Sequence, residues 1–296
     1  MHRNTGVSAP TPRAGHVAIG PISVLDGSPD DAAERCLAAI RARTGGRVAT
    51  ANLDFVAQAR RDRVLRADLS ASTLVVADGA PVAWLARLAG AKRTRRTTGV
   101  DLVAAILGGA SQVAPLRVVI YGSTPDVAGA AAARFATDYE GVEVAAVLCP
   151  PFGRLTPEQS REYADSIAAA EPHLVLVALG CPRQERFIAE QYAEAPQALW
   201  IGVGGTFDFY AGKRRRAPRL VGATGGEWLV RLVQEPRRLW RRYLLRDLPT
   251  LLAVTPAVLV RRVRNGAPAP SGGVAEPGVG GPIATGADDD VRSAAL

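Results

Sequence analysis

The sequence has few of the residues that build disulfide frameworks and metal sites. Only three cysteines and three histidines occur among 296 residues. Cys36, Cys149 and Cys181 are too few and too scattered for a disulfide framework or a zinc site. Sparse cysteine is typical of a reducing compartment. We therefore expect a cytoplasmic protein that needs no metal and no cofactor.

Long apolar runs are also absent. No uninterrupted stretch reaches the roughly 18 residues that a spanning helix needs, so no transmembrane helix is expected. The first 15 residues lack an apolar segment, and a secretory signal is not expected either. The hydrophobic content of 48% and the charged content of 22% predict a globular chain.

Acidic residues are depleted in one segment only. Residues 210–264 hold 14 Arg or Lys against three acids, a net charge of +11. Residues 1–209 balance 21 cations with 21 acids, and residues 265–296 carry a net charge of −3. A segregated patch of this size is expected to face phosphates, a nucleic acid or an acidic membrane.

Composition and periodicity divide the chain into four parts. Residues 1–15 and 265–296 are rich in small residues and lack periodicity, which predicts disordered tails. Residues 16–209 form the expected core, with halves at about 16–112 and 113–209. Residues 210–264 form a basic appendage.

The core alternates strand and helix patterns. In residues 116–139, a β-branched strand ends at Gly122 and Ser123, and Thr124 and Pro125 open an alanine-rich helix. We expect further helices at 26–43, 56–69 and 98–110. Continuous apolar strands predict an α/β fold, a Rossmann-like parallel sheet core flanked by helices, with a basic helical C-terminal appendage. Ligands should bind beyond the carboxyl ends of the strands.

The appendage has an amphipathic pattern. Residues 225–248 are predicted to be helical with a break at Pro236. Beyond the break, Trp240, Tyr243, Leu244 and Leu248 share a face that arginines flank. The apolar residues 248–260 and a basic RRVR segment follow. This order is typical of a segment lying in a membrane interface.

Polar side chains occur where the predicted strands end, and these are Thr50, Asn52, Asp78, Ser123, Gln184 with Glu185, and Asp208. Asp78 follows an apolar strand, and partial burial would raise the pKa of its carboxyl group toward the range of a general base. The alternative is that Asp78 only caps the helix that starts near Pro81. His173 and Cys181 have no pattern that indicates catalysis.

Other functions remain open at this level. Turns at Gly122–Ser123 and at residues 202–205 could approach a phosphate. Neither turn is a GxGxxG motif, so the hypothesis of a nucleotide-dependent oxidoreductase has little support. A nucleic-acid-binding protein could use the arginine segment. The apolar residues 248–260 favour lipid over nucleic acid.

Eight ordered motifs resemble one glycosyltransferase family over about residues 17–246. They are TANLDFV (50–56), ADGAPVAWLARLAG (77–90), TGVDL (98–102), YGS (121–123), PPF (150–152), ALGCPRQE (178–185), GVGGTFDFYAGKRRRAP (202–218) and EWLVRLVQEPRRLWRRY (227–243). Together they resemble the WecG/TagA/CpsF family, GT26.

The resemblance implies an inverting, metal-independent transferase. It would move a sugar of the N-acetylmannosamine type from a UDP-sugar to a polyprenyl-diphosphate-linked acceptor, in the synthesis of a cell-surface polymer. The implied partners are the donor, the lipid acceptor and an anionic membrane surface, with no nucleic acid. The implied location is peripheral, on the cytoplasmic face of the plasma membrane.

The resemblance also implies site residues. Asp78 would be the catalytic base, and the substrate pocket would hold Thr50, Asn52, Arg96, Gly122, Ser123, Gln184 and Asp208. Arg231, Arg238 and Arg241 of the appendage would bind the diphosphate. Cys181 departs from the serine or alanine common at that position, and the residues beyond 246 exceed the usual end of the family.

Overall fold

The computed structural model describes residues 14–113, 115–214, 233 and 236–266. An antiparallel hairpin of β1 (His16–Ile19) and β2 (Ile22–Leu25) comes first. A six-stranded, entirely parallel sheet follows, in the spatial order β4 (Leu74–Ala77), β3 (Gly46–Ala51), β8 (Leu199–Gly202), β7 (Leu174–Ala178), β5 (Leu116–Gly122) and β6 (Val142–Leu148). The predicted α/β fold with a parallel sheet is confirmed, whereas the hairpin was not predicted.

Nine helices flank the sheet in the described core. They are α1 (Pro29–Arg41), α2 (Leu53–Ala59), α3 (Arg63–Ala71), α4 (Ala80–Leu88), α5 (Gly99–Gly108), α6 (Pro125–Asp138), α7 (Pro157–Ala169), α8 (Arg183–Gln191) and α9 (Thr206–Tyr210). Ser28 begins α1 with a reciprocal capping box to Asp31, so the helix starts three residues later than the pattern predicted.

The core lies on both faces of the sheet because alternate strand residues point to opposite sides. Val118, Leu176 and Ile201 pack against α1, α5, α6 and α9. Ala49 and Val75, at one end of the other face, pack against α2, α3 and α4, and the remainder of that face packs against α7 and α8. The fully buried strands explain the continuous apolar runs in the sequence.

The chain leaves neighbouring strands toward opposite faces. After β3 it enters α2, whereas after the adjacent β8 it enters α9 on the other side of the sheet. In open α/β sheets such a switch of direction marks the crevice where ligands bind. The fold therefore points to the carboxyl ends of β3 and β8.

The helix expected over residues 56–69 is wrong, because two helices occupy that region. The chain turns at Arg60–Asp62, and Asp62 begins α3 by accepting hydrogen bonds from the N–H groups of Val64 and Leu65, at 3.0 and 3.1 Å. Because aspartate is a favourable N-cap, a new helix begins here and the single longer helix does not form. The turn places Arg60, Arg61 and Arg63 together on the surface.

The described part of the appendage is one helical segment. It consists of α10 (Pro236–Arg242), a π-helical turn (Tyr243–Asp247) and α11 (Leu248–Gly266). Val254 and Val258 are buried with residues of the hairpin, α2 and α4. Gly20 of the hairpin approaches Val254 closely.

The stretch Leu239–Val263 is long and apolar enough to cross a membrane by length and composition. Such a helix was not expected from the sequence, because that expectation rested on uninterrupted apolar runs. Its buried face contacts protein. Leu244, Leu248 and Leu252 on its outer side are exposed. This two-sided pattern is that of an amphipathic helix.

Candidate active site

Thr50 joins the carboxyl ends of β3 and β8. Its buried hydroxyl donates a 3.0 Å hydrogen bond to the carbonyl of Gly202. A side chain at Gly99 would meet Thr206 Oγ1 at 3.0 Å and Thr50 Oγ1 at 3.7 Å. The start of α5 is therefore packed tightly against this junction, and only a residue without a side chain fits there without displacement.

Asp78 lies at the same edge, directly after β4. Its N–H donates to the carbonyl of Ala51 at 2.9 Å, and its side chain is half-buried. The N-cap of α4 is Gly79, with a φ of +92° and no side-chain cap bond. The alternative of Asp78 as the helix cap is thus wrong.

Arg96 belongs to the segment beside Asp78. The N–H of the following residue, Thr97, donates to the carbonyl of Ala77 at 2.8 Å, which holds this stretch against the end of β4. Asn52 has a structural task at the neighbouring strand, since its Oδ1 accepts from the N–H of Asp54 at 3.0 Å and begins α2.

Gln184 connects the two loops that follow β7 and β8. It is buried, and its Oε1 accepts from the N–H of Gly180 at 3.2 Å and of Gly204 at 3.1 Å. Its Nε2 donates to Glu185 Oε1 at 2.8 Å, and a side chain at Gly202 would lie 2.5 Å from that nitrogen. The amide group of Gln184 is therefore held in one position against the end of β8.

Glu185 is a buried acid, which we named above only as the neighbour of Gln184. Burial raises the pKa of its carboxyl group to about 7, although the hydrogen bond from Gln184 works in the opposite direction. Its second oxygen has no hydrogen-bond partner among the described residues. A carboxyl group with this pKa changes charge near neutral pH.

Asp78 and Gln184 thus occupy the same carboxyl edge, on strands that β3 and β8 separate. Asp78 is hydrogen-bonded to Ala51, Thr50 to Gly202, and Gln184 to Gly204, so these contacts follow one another along the edge. The predicted residues of this half of the sheet are therefore gathered along one edge, as the parallel topology requires.

A second group of predicted residues lines a cavity of about 700 Å³ beyond β5 and β7. Gly122, Ser123 and Asp208 belong to this wall. The cavity also contains cationic and aromatic side chains that the sequence analysis did not select, namely Phe152, Arg154, Arg183, Arg186, Phe187 and Lys213. Its size suits a nucleotide-sized ligand.

The floor of this cavity requires an unusual backbone. Gly122 has a φ of +93°, and a side chain there would meet the carbonyl oxygen of Ala178 at 2.8 Å. Ser123 also has a positive φ, of 68°, and its N–H donates to the same carbonyl at 3.2 Å. A residue other than glycine held in this conformation is a feature of functional loops.

Charged and aromatic side chains surround the mouth of the cavity. The Arg183 guanidinium lies over the exposed ring of Phe152, 5.0 Å from its centroid. Asp208 forms an ion pair with Arg214 at 3.6 Å, and Lys213 pairs with Asp126. Phe152 is part of the PPF motif and Arg183 is part of the PRQE motif, so these motifs could have indicated the two residues.

The structure describes the three predicted diphosphate ligands to different extents. Arg231 lies outside the described residues, and Arg238 lies within α10 without a described side chain. Arg241 is exposed on α10 with its guanidinium 5.6 Å from the ring centroid of Trp240. Arg241 forms no hydrogen bond or ion pair with another predicted site residue in the ranges that the structure covers.

Other arginines attach the appendage to the core, which the sequence did not predict. Arg246 Nη1 lies 3.2 Å from Asp54 Oδ1, and Arg242 Nε lies 4.0 Å from Asp54 Oδ2. Within the appendage, Arg242 Nε also lies 3.4 Å from Asp247 Oδ2. Burial raises the pKa of Asp247 to about 6, although Arg242 works in the opposite direction. Asp54 follows Asn52 by two residues, so this contact ends beside the candidate site.

Two cysteines and His173 are partly buried in the core. Burial raises the pKa of the Cys149 and Cys181 thiols, which disfavours the nucleophilic thiolate. His173 Nδ1 accepts from the N–H of Arg117 at 3.1 Å. Among the residues with described positions, no three His, Cys, Asp or Glu side chains are grouped as metal ligands.

Comparisons with known proteins identify the family of the chain. The model of the glycosyl transferase WecG/TagA/CpsF family matches residues 17–264. An N-acetylglucosaminyldiphosphoundecaprenol N-acetyl-β-D-mannosaminyltransferase of Bacillus spizizenii is 35% identical over 200 residues, 68% of this chain and 75% of the relative. The protein of the same name from Bacillus subtilis is 31% identical over 202 residues, 68% of this chain and 76% of the relative.

The family match covers most of the chain, and two curated relatives are more than 30% identical to it. The chain therefore belongs to the WecG/TagA/CpsF family of glycosyl transferases.

Proposed function

We propose that the protein transfers N-acetylmannosamine from its UDP derivative to an N-acetylglucosamine that is linked to a polyprenyl diphosphate. The names of both relatives support the transferred sugar and the lipid acceptor. The observation that carries the proposal is the carboxyl edge of the sheet, which holds Asp78, Thr50 and Gln184 and, beyond β5 and β7, a nucleotide-sized cavity.

The reaction is a direct displacement with inversion. Asp78 accepts the proton of the acceptor hydroxyl while that oxygen forms a bond to the anomeric carbon of the donor. The bond from this carbon to the diphosphate breaks on the opposite side, and UDP leaves with the bonding electron pair. Asp78 is suited to this role because it is half-buried at the edge and is not the cap of α4.

The nucleotide occupies the cavity beyond β5 and β7 in this proposal. The turn of Gly122 and Ser123 lies against the diphosphate, and Asp208 lies near the nucleoside. Arg231, Arg238 and Arg241 neutralise the charge that develops on the leaving UDP, without a metal ion. The basic residues already lining the cavity support an anionic ligand there.

The remaining residues hold the sugar groups. Thr50, Asn52 and Arg96 face the acceptor side of the edge, and Gln184 separates it from the nucleotide side. Thr50 and Asn52 each use one polar side-chain atom for the fold and Gln184 uses both of its own, which fixes their orientation before substrate binds. Preorganised polar groups of this kind lower the cost of reaching the transition state.

The lipid acceptor requires the enzyme to work at a membrane surface. We place it peripherally on the cytoplasmic face, where the outward side of α10 and α11 presents leucines and arginines. This orientation brings the basic appendage to both the lipid diphosphate and the anionic headgroups.

An assay of UDP release tests the proposal. The full chain is incubated with a panel of UDP-sugars and a synthetic N-acetylglucosaminyl-diphosphate lipid, with and without a chelator. We expect turnover with UDP-N-acetylmannosamine, a β-linked product by nuclear magnetic resonance, and no loss of rate with chelator. Release with another UDP-sugar alone, an α-linked product, or a rate that depends on a divalent metal would contradict the corresponding part of the proposal.

A further inference from the structure

A second large cavity lies between the α2–α3 turn and the appendage, and it shares no lining residue with the cavity beyond β5 and β7. It encloses about 800 Å³. One wall is the turn, with Arg60, Arg61 and Arg63, and the other is the appendage, with Leu245, Arg246, Pro249, Thr250 and Ala253. None of these residues belongs to a motif or role assigned above, apart from the contact of Arg246 with Asp54.

The cavity carries an excess of positive charge. Arg60, Arg61 and Arg63 are exposed and form no ion pair with any carboxylate in the described ranges. Asp62, the acid of the turn, is occupied, since it pairs with Arg186 and caps α3. Three guanidinium groups are therefore available to an anion at one wall.

The backbone holds these arginines outward. Arg66 of α3 reaches back to the turn, where its Nε donates to the carbonyl of Ala59 at 3.1 Å and its Nη2 to that of Arg60 at 3.3 Å. Two carbonyls of the turn are thus tied to one side chain. A turn fixed in this way presents its guanidinium groups from a defined position.

The opposite wall is apolar and continues onto an exposed surface. Leu245, Pro249 and Ala253 are spaced by four residues and line the cavity. Leu244, Leu248 and Leu252 form the adjacent row, and the exposed fraction of the Leu252 side chain is 66%. Guanidinium groups on one side and a leucine row on the other match the two parts of a phospholipid, its phosphate and its acyl chains.

We propose that this cavity binds the phosphate headgroup of an anionic phospholipid. Arg60, Arg61 and Arg63 contact the phosphate, and the acyl chains extend along the leucine row of the appendage. Guanidinium groups suit this task because their planar donors match phosphate oxygens. The core would then contact the membrane through a discrete lipid site, in addition to the appendage.

This inference rests on the proposed membrane association but specifies a site that catalysis does not use. The first test measures binding of the full chain to vesicles of phosphatidylcholine with and without 30% phosphatidylglycerol, about that fraction being enough for a negative surface. The test variant changes Arg60, Arg61 and Arg63 to Gln. The matched control changes Arg35, Arg134 and Arg161 to Gln, three exposed arginines outside the cavity.

We expect the cavity variant to bind phosphatidylglycerol vesicles about 30- to 100-fold more weakly, from the contribution of each arginine near an anionic surface. The control variant loses the same charge and should change by less than about threefold, because none of its arginines lines the cavity. Equal losses in both variants, or no loss in either, would overturn the proposal, since only general charge attraction or none would remain.

A second measurement separates a lipid site from other anion sites. Dihexanoyl phosphatidylglycerol, below its micellar concentration, should bind the full chain with a saturable 1:1 stoichiometry in calorimetry and should not bind the cavity variant. Dihexanoyl phosphatidylcholine should bind at least tenfold more weakly. Equal affinity for inorganic phosphate, or loss of duplex oligonucleotide binding in the cavity variant without an effect on lipid, would overturn the assignment.

Activity provides the control for folding and for the proposed reaction. With a short-chain acceptor that is soluble without vesicles, the cavity variant should keep wild-type transfer, because no cavity residue takes part in the chemistry. If the wild-type chain itself lacks transfer while the lipid results hold, the proposed function fails and the lipid site stands. If the cavity variant alone lacks transfer, the arginines belong to the reaction and the inference is wrong.

Discussion

The hydroxyl of Thr50 and the carbonyl of Gly202 are 3.0 Å apart although 152 residues separate them in the chain. The bond ties the ends of β3 and β8 together at the point where the chain leaves the two strands toward opposite faces. The polar residues of the site are arranged around this contact.

Replacement of Thr50 by Val should remove this bond and leave the buried carbonyl of Gly202 without its partner. We expect the free energy of unfolding to fall by about 1–3 kcal/mol. The transfer rate should fall as well, since the edge of the sheet loses its anchor. Thr50→Ser keeps the hydroxyl and should stay close to wild type in urea unfolding, and equal behaviour of both variants would contradict this role.

Replacement of Asp78 by Asn should remove the base and keep the shape of the site. Transfer should fall by about 10²- to 10⁴-fold, the usual contribution of a general base, while UDP affinity by calorimetry stays within about threefold of wild type. The exposed Asp138 offers a control, since Asp138→Asn should leave both quantities unchanged. A near-wild-type rate in Asp78→Asn would show that the base is another group.

Replacement of Glu185 by Gln should change how stability depends on pH. The pKa of this acid is raised from 4.5 to about 7, so between these values the native state holds a proton that the unfolded chain releases. The free energy of unfolding therefore falls as pH rises through this window, by an amount on the order of 3 kcal/mol. The variant has no proton to lose at this position and should lack that fall.

Urea unfolding at pH 5 and pH 8 measures this effect. Glu185→Gln should gain stability relative to wild type on going from pH 5 to pH 8, and Glu190→Gln, an exposed change on the same helix, should follow wild type. The same pH slope in all three proteins would mean that Glu185 is ionised throughout.

Replacement of Arg241 by Ala tests the appendage as a diphosphate ligand. Loss of one charge-assisted hydrogen bond should weaken UDP binding by about 10- to 100-fold and slow transfer. Arg237 is also exposed on α10, and Arg237→Ala serves as the control for general charge. Equal UDP affinity in the two variants would remove Arg241 from the set of diphosphate ligands.

Shortening Val254 and Val258 to Ala tests how firmly α11 is attached. Both side chains are 3% exposed, and each change should cost about 2 kcal/mol of unfolding free energy. Val263→Ala is a matched control at a position that is 74% exposed and should cost less than about 0.5 kcal/mol. Thermal unfolding with equal losses at all three positions would mean that α11 is not packed on the core in solution.

Local patterns predicted much of the fold. The apolar runs at 74–77, 116–122 and 174–178 form strands of the sheet, because parallel strands buried on both faces need no alternation. The hairpin at 16–25 was not predicted from the sequence. The break between α2 and α3 was not predicted either, because the N-cap Asp62 lies within a run of charged residues that also suits the surface of a helix.

The site could be predicted only as a set of positions. The motifs indicated Asp78, Thr50 and Gln184, and the parallel sheet explains why residues after different strands meet at one edge. Glu185 could not be selected, because its raised pKa arises from burial that no local pattern reveals. The contact of Asp54 with Arg246 spans 192 residues and has no signature in either segment.

The sequence by itself determined the parallel α/β architecture, the family and the concentration of positive charge in residues 210–264, because periodicity, ordered motifs and composition are properties of the chain. Only the tertiary structure decided which polar groups face each other, which carboxyl groups are buried, and that the arginines of the α2–α3 turn share a cavity with the appendage. These properties depend on distances between segments far apart in the chain, and packing of the whole core sets those distances.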